Sequence, residues 1–155
     1  MADFTQPQVA RQPIFDIKMA VEAYELLFRS GADGVLAAEH PESSTTGVVS
    51  TTLFGVGTDR LTGSKIGYVN FPRKLLVGGY AELLSPETLG IEVLGSVTPD
   101  EESTAAVARL RDLGFKVAID DVMPGDSRLA FAEYADIAKI DFLDTTAEQR
   151  LSLIH

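Results

Sequence analysis

Six polar or charged side chains fall within or at the carboxyl ends of short apolar stretches that have the character of β-strands. They are Glu25, Asn70, Glu92, Asp120, Asp121 and Lys139. In α/β barrels the carboxyl ends of the strands converge on one face, so we expect these side chains to share one site. Oxygen ligands beside a lysine suit a hard cation such as Mg²⁺ or Mn²⁺ rather than zinc. Two such ions ~3.5–4 Å apart would clamp the attacking and leaving oxygens of a phosphodiester.

Each of these residues taken alone also has a purely structural interpretation. A carboxylate at a strand end is often a solvated stop or a helix cap. Asn70 can bond a turn, and Lys139 can form an ion pair with a nearby aspartate. Function is favoured because an uncompensated carboxylate inside an apolar run, as at Glu25, is costly. The adjacent Asp120 and Asp121 also repel each other unless a cation holds them.

The strands that must position these residues alternate with helices. Strands are predicted at Gln12–Asp16, Lys65–Phe71, Leu89–Leu94, Phe115–Val122 and Ile137–Phe142. Met19–Phe28 is long enough for a helix but has no clear helical period; as a strand, it would place Glu25 on the same face as Ala23 and Leu27. Near-continuous apolar strands that alternate with helices predict a parallel α/β sheet.

Helices are predicted between the strands from spacing and capping residues. The first predicted helix runs from Thr46 to a stop at Gly57, and the second is Arg73–Val77. The third begins with a capping box at Thr98–Glu101 and is ended by Gly114. The fourth is Ser127–Ala135, and the fifth begins with a capping box formed by Thr145 and Glu148. In the third, Pro99 is expected at the first helical position, and Ala106, Leu110 and Leu113 are expected to form the buried stripe.

Composition narrows the class of protein. The 155 residues, 45% of them hydrophobic, suffice for one core and are too few for two. No apolar run approaches the ~18 residues of a membrane-spanning helix. The absence of cysteine and the polar start suggest a cytoplasmic protein. A net charge of −10 disfavours duplex DNA and membranes, whereas bound divalent cations would let a small phosphorylated ligand approach.

The ordered motifs resemble those of an EAL domain, the (β/α)-barrel module that binds or hydrolyses cyclic di-GMP. They are Ala10–Asp16, Tyr24–Arg29, Tyr68–Phe71, Ile91–Val93, Ala118–Asp121 and Lys139–Phe142. The resemblance implies an α/β fold, an incomplete TIM-like (β/α) barrel. Residues 1–155 would form the N-terminal part of one EAL domain, about six strands of eight. The first two motifs resemble the branch in which an HDOD domain, a helical signalling module, follows.

The resemblance also implies a role for each matched residue. Glu25, Asn70 and Glu92 would bind a metal ion, Mg²⁺ or Mn²⁺, and Asp120 and Asp121 would lie at a shared two-metal position. Lys139 would contact the attacking water or the phosphate, and with Asp121 it forms the expected catalytic pair. Gln12 and Arg29 match positions near the bound dinucleotide. The implied reaction is metal-assisted hydrolysis of cyclic di-GMP to the linear dinucleotide.

The sequence departs from the family pattern at several positions. Leu26 replaces the alanine of the name-giving triplet, and Gly95 stands where the family usually has a second glutamate that helps fix a catalytic loop. Val122–Asp126 replaces the usual loop after the paired aspartates, and Pro124 must change its geometry. The last two family strands would lie beyond His155, so we expect either a fragment of a longer product or pairing with a second copy.

These observations leave three functional hypotheses. The first is a degenerate EAL-type signalling domain that acts as a regulatory or protein-interaction module with little or no catalysis. The second is a metal-dependent cyclic di-GMP phosphodiesterase in the longer parent protein, and the third is a receptor that holds the dinucleotide without cutting it. Expected partners are cyclic di-GMP, a protein partner or C-terminal HDOD domain, and a second copy of the chain; no DNA and no membrane partner is expected.

Overall fold

The computed structural model describes residues 8–29, 57–141 and 143–154, and the chain divides into two compact units. The first contains the described residues up to Asn70 together with Glu87–Gly90. The second contains Phe71–Pro86 and the chain from Ile91 onward. Among the helices of the described ranges, none combines the length and apolar character needed to cross a membrane.

The first unit opens with an antiparallel hairpin. Strand β1 (Gln8–Phe15) pairs with β2 (Val21–Arg29), and Asp16 closes the turn by accepting the backbone N–H groups of Lys18 at 2.8 Å and Ala20 at 2.9 Å. The strand predicted at Gln12–Asp16 is therefore confirmed, in a longer form. The helix-or-strand question over Met19–Phe28 is answered as a strand, because Val21–Arg29 pairs with β1 in an antiparallel ladder.

The rest of the first unit follows the predicted order. Helix α1 (Thr58–Thr62) precedes strand β3 (Ile66–Phe71), which pairs with β2 in parallel. The helix predicted from Thr46 lies outside the described residues up to Val56, although Gly57 has a left-handed φ of 78° at the position of the predicted stop. The buried ring of Tyr68 lies so close to Gly90 that a Cβ there would be 2.6 Å from it.

The second unit alternates helices and strands. Its elements are α2 (Arg73–Val77), a 3-10 helix (Tyr80–Leu83), the last three residues of β4 (Leu89–Val93), α3 (Glu101–Asp112), β5 (Lys116–Ile119), a second 3-10 helix (Ser127–Tyr134), β6 (Ile137–Ala138) and α4 (Ala147–Ile154). Every residue of β4 is buried, as expected for an inner strand covered on both faces. Strands β5 and β6 are parallel, and sheet order follows chain order from β1 to β6.

Two predicted helix starts are wrong by one or two residues. Helix α3 is capped by Asp100, whose carboxylate accepts from the N–H of Ser103 at 2.8 Å while the Ser103 hydroxyl accepts from the N–H of Asp100 at 2.9 Å. The box is thus Asp100–Ser103, not Thr98–Glu101, because Pro99 precedes the cap. In α4 the reciprocal bonds join Thr146 and Gln149 rather than Thr145 and Glu148.

Other predicted boundaries also move for physical reasons. Leu113 is 40% exposed rather than part of the buried stripe, because α3 ends at Asp112; Val107 and Leu110 are buried instead. The helix predicted at Ser127–Ala135 is of the tighter 3-10 type. Strand β5 ends at Ile119 because Asp121 adopts a left-handed φ of 48°, which no strand tolerates. The strand predicted at Ile137–Phe142 is reduced to two residues.

Candidate functional site

Strand register places three of the predicted site residues on one face of the first unit. Gln12 lies directly opposite Glu25 in the β1–β2 ladder, and Glu25 lies opposite Tyr68 in the β2–β3 ladder. Asn70 is two residues beyond Tyr68, so its side chain points to the same face. The Asn70 amide Nδ2 donates to Glu25 Oε1 at 3.3 Å. Both residues are half-buried, whereas Gln12 is exposed.

The amide oxygen of Asn70 shows that this pair fits a cation. Asn70 Oδ1 is shielded from solvent and accepts no hydrogen bond from any residue that the structure describes. A shielded acceptor without a donor costs free energy, so it calls for a partner. A neutral oxygen beside a carboxylate is a ligand set that hard divalent cations prefer. Glu25 and Asn70 therefore suit Mg²⁺, Mn²⁺ or Ca²⁺ chemically.

A second cluster joins three predicted residues in the second unit. The Lys139 ammonium Nζ donates to Glu92 Oε1 at 2.6 Å and lies 3.1 Å from Asp120 Oδ1. Glu92 lies within β4, Asp120 directly follows β5, and Lys139 directly follows β6. The backbone holds the last two in place, because Asp120 N–H donates to the Val93 carbonyl and Lys139 N–H to the Ile119 carbonyl. The ion-pair interpretation of Lys139 is thus confirmed.

The environment of Asp121 differs from that of Asp120. Its backbone is in the left-handed region, which is costly for a residue with a Cβ, though less so for aspartate than for most. Partial burial and the neighbouring Asp120 carboxylate raise the pKa of the Asp121 carboxyl, and Lys139 only partly offsets them. A carboxylate held at a strained position beside a like charge is a frequent feature of functional sites.

Sequence reasoning missed the residue that holds this segment together. The guanidinium of Arg128, 6% exposed, donates to the backbone carbonyls of Asp120 and Asp121, the latter at 2.8 Å. Two of its nitrogens, Nε and Nη2, also donate hydrogen bonds to the Asp126 carboxylate. Burial opposes ionisation of Asp126, yet these hydrogen bonds hold the pKa of its carboxyl below the usual range. The available signal was Gly125-Asp126-Ser127, a turn and helix cap directly before an arginine.

The predicted residues thus form two clusters, one in each compact unit. Glu25 and Asn70 belong to the first unit, whereas Glu92, Asp120, Asp121 and Lys139 belong to the second. Arg29 ends β2, and its side chain lies outside the described part of the chain. In residues 8–29, 57–141 and 143–154, no group of three or more Asp, Glu or His side chains is arranged so that it could hold a metal ion. The roles assigned to these residues from the sequence therefore stay predictions.

Two curated proteins are similar to the chain in sequence. The chain is 34% identical, over 94% of its length, to 37% of the uncharacterized protein YuxH of Bacillus subtilis (strain 168). It is 29% identical, over 87% of its length, to 32% of the cyclic di-GMP phosphodiesterase CdgJ of Vibrio cholerae. The chain therefore spans about a third of the length of these relatives. No protein-family model matches it.

The fold also matches a solved structure. The Bacillus subtilis protein YkuI, which has an EAL domain and was solved with cyclic di-GMP and calcium, superposes with a TM-score of 0.70 at 21% identity, over 98% of this chain and 46% of YkuI. That likeness confirms the α/β, TIM-barrel-like fold expected from the sequence. The fold of the chain is thus like that of a protein with an EAL domain, the family that the six ordered motifs resemble.

Proposed function

We propose that the chain is the N-terminal part of an EAL domain in cyclic di-GMP signalling, and that it acts as a regulatory or protein-interaction module with little or no phosphodiesterase activity of its own. Its support comes from the similarity to CdgJ and from the fold shared with YkuI, a protein solved with cyclic di-GMP. The observation that carries the regulatory role is the position of Lys139 between Glu92 and Asp120.

That lysine compensates part of the negative charge of the carboxylates that a catalytic cation would need. Its ammonium lies within 2.6 Å of one carboxylate and 3.1 Å of the other. A divalent cation entering ~4 Å from the ammonium would meet repulsion of several kcal/mol at an effective dielectric constant of ~20. A cation bound by Glu92 and Asp120 would compete with Lys139 for the same carboxylate oxygens, which supports a module that senses or docks rather than one that turns over substrate.

The second candidate is a metal-dependent cyclic di-GMP phosphodiesterase in the longer parent protein. Its support is the Glu25–Asn70 pair, whose shielded amide oxygen accepts no hydrogen bond from the described residues. A bound Mg²⁺ or Mn²⁺ would polarise the phosphodiester there. Glu25 and Asn70 would hold that ion, Gln12 would approach the dinucleotide from the neighbouring strand, and Arg29 would follow on β2.

Calorimetric titration of cyclic di-GMP into the chain, and in parallel into the longer parent protein, tests both candidates. The titration is run with Mg²⁺, Mn²⁺, Ca²⁺ and EDTA, and each mixture is then analysed chromatographically for the linear dinucleotide. The variant Glu25→Gln removes a proposed ligand. Its control, Glu22→Gln, removes the same charge from an exposed position three residues earlier on β2.

The outcomes separate the candidates. Binding without turnover, weakened in Glu25→Gln but not in Glu22→Gln, supports the regulatory role. Cation-dependent appearance of the linear product, abolished in Glu25→Gln, supports the phosphodiesterase and contradicts the regulatory proposal. Binding that persists in EDTA indicates a receptor that needs no metal. No binding under any condition contradicts a dinucleotide role for the chain.

The proposal includes a cytoplasmic location and a protein partner. An HDOD domain that follows in the same protein, or a second copy of the chain, would supply the partner surface. Light scattering coupled to size-exclusion chromatography, with and without cyclic di-GMP, tests the second copy. A mass equal to one chain in both conditions would contradict a homodimer.

A further inference from the structure

The segment from Asp120 to Arg128, here called the aspartate loop, is tied together at its buried base. Arg128 reaches back from the second 3-10 helix to the carbonyl oxygens of Asp120 and Asp121. The same guanidinium makes a two-nitrogen contact with Asp126, which caps that helix by accepting the N–H of Arg128 at 2.8 Å. One side chain therefore fixes both ends of the loop.

Burial makes this contact rigid and selective. The side chains of Arg128 and Asp126 are 7% and 11% exposed, so water cannot easily replace either partner. The planar guanidinium donates to four acceptor oxygens on three residues at once, a geometry that a lysine ammonium on its flexible stem cannot reproduce. Gly95 lies beside the guanidinium, where an added Cβ would make an ordinary 3.7 Å contact with Nη1.

We propose that Arg128 is a positioning residue that sets the backbone of Asp120 and Asp121, and so aims their carboxylates for cation and phosphodiester binding. This inference rests on the proposed function for its last step but not for the positioning itself. The strained φ of 48° at Asp121 needs such support, because left-handed backbone with a Cβ persists only where its surroundings fix it. The arginine bond to the Asp121 carbonyl lies directly beside that torsion.

Hydrogen exchange at single amides tests the positioning. The Asp120 N–H donates to the Val93 carbonyl and the Val122 N–H to the Lys139 carbonyl, so both report on the loop backbone. In Arg128→Lys we expect these two amides to exchange about tenfold faster or more, while amides of the buried strand β4 keep their protection. The control is Arg111→Lys, the same change at an exposed arginine whose guanidinium donates to the Glu133 carbonyl at 2.9 Å.

A second variant guards against misfolding. Asp126→Asn keeps Arg128 and the shape of its partner but removes the charge, and should accelerate the same two amides to a smaller extent. A merely structural role would speed exchange throughout the second unit in equal measure. Unchanged protection of Asp120 and Val122 in both variants, or a uniform loss across β4 as well, would overturn the inference.

Mn²⁺ titration of the same variants separates this inference from the proposed function. Weaker Mn²⁺ binding in Arg128→Lys than in Arg111→Lys, together with local exchange, supports both. Local exchange in a protein that binds no Mn²⁺ in any form supports the positioning and contradicts cation binding. Equal Mn²⁺ affinity in all variants contradicts the step from positioned carboxylates to binding.

Discussion

The ammonium of Lys139 donates to Oε1 of Glu92 at 2.6 Å, and the glutamate is 0% exposed while the lysine is 28% exposed. A fully buried carboxylate is stable only when its charge is compensated. Lys139 supplies that compensation from the end of β6 and extends it to Asp120, 3.1 Å away. The pair therefore stabilises the fold around the ends of β5 and β6.

Replacing Lys139 by methionine should lower the free energy of unfolding by ~3 kcal/mol, since removing one partner of a buried ion pair leaves the other charge buried without compensation. Glu92→Gln should cost less, because it removes the charge and keeps a polar group of the same size. The double variant should recover part of the loss, which urea unfolding of all four proteins measures. A Lys139→Met protein as stable as the wild type would contradict this account of the pair.

Adding one methyl group to Gly90 should destabilise the first unit by ~1–3 kcal/mol through overpacking. The Cβ of an alanine there would lie 2.6 Å from the buried Tyr68 ring, which has little space to move. Gly95→Ala is the control, because its Cβ would make an ordinary 3.7 Å contact with Arg128. Thermal unfolding compares the two, and equal melting temperatures would show that Tyr68 can shift.

The cap of α3 should make stability depend on acid. The Ser103 N–H and the Arg73 guanidinium lower the pKa of the Asp100 carboxyl from 3.8 to about 2. A lowered folded-state pKa gives stabilisation that is complete above the ordinary value and is lost as the pH falls from 3.8 toward 2. Asp100→Asn keeps a capping oxygen without the charge, so it separates the two effects.

Melting temperatures at pH 6 and pH 2.5 should reveal this dependence. Asp100→Ala should melt a few degrees lower than the wild type at pH 6 because it loses the cap. The smaller advantage of the wild type over Asp100→Asn should shrink at pH 2.5. An advantage that grows in acid would mean that another group controls α3.

Turning Asn70 into an aspartate should make the first unit dependent on a cation. In EDTA the new carboxylate would lie beside Glu25, whose Oε1 is 3.3 Å from the present amide nitrogen, and the repulsion should lower stability. Added Mn²⁺ should restore it by binding the folded state. Ser64→Asp adds the same charge at an exposed position and should respond to neither condition. An equal response of both variants to Mn²⁺ would exclude a site at Glu25 and Asn70.

Elements set by burial and capping could be predicted closely. Arg73–Val77 has the predicted bounds. The strands around Asn70 and Glu92 differ from prediction by a single residue each, because most of their apolar residues are buried. The sequence could not decide whether Met19–Phe28 forms a helix or a strand, since both faces of β2 carry apolar residues. Its pairing with β1, which no local pattern encodes, makes it a strand.

Tertiary contacts account for what the sequence left open around the site. The end of β5 is fixed by the left-handed turn at Asp121, and that turn is held by Arg128 seven residues later. Neither contact has a periodic signature, and a lone arginine after a turn usually lies in solvent. The capping boxes of α3 and α4 were displaced because several Ser, Thr and Asp residues near each start could accept the same bonds.

The positive φ of Asp121 constrains which residues can replace it during evolution. Glycine, asparagine and aspartate adopt this backbone most readily, whereas glutamate and branched residues do not. Two requirements therefore limit the residue at this position: it must adopt the left-handed turn, and it must supply a carboxylate. In descendants that no longer need the charge, only the turn remains under selection. We expect glycine or asparagine there, so the identity of this one residue would record whether a lineage still uses its carboxylate.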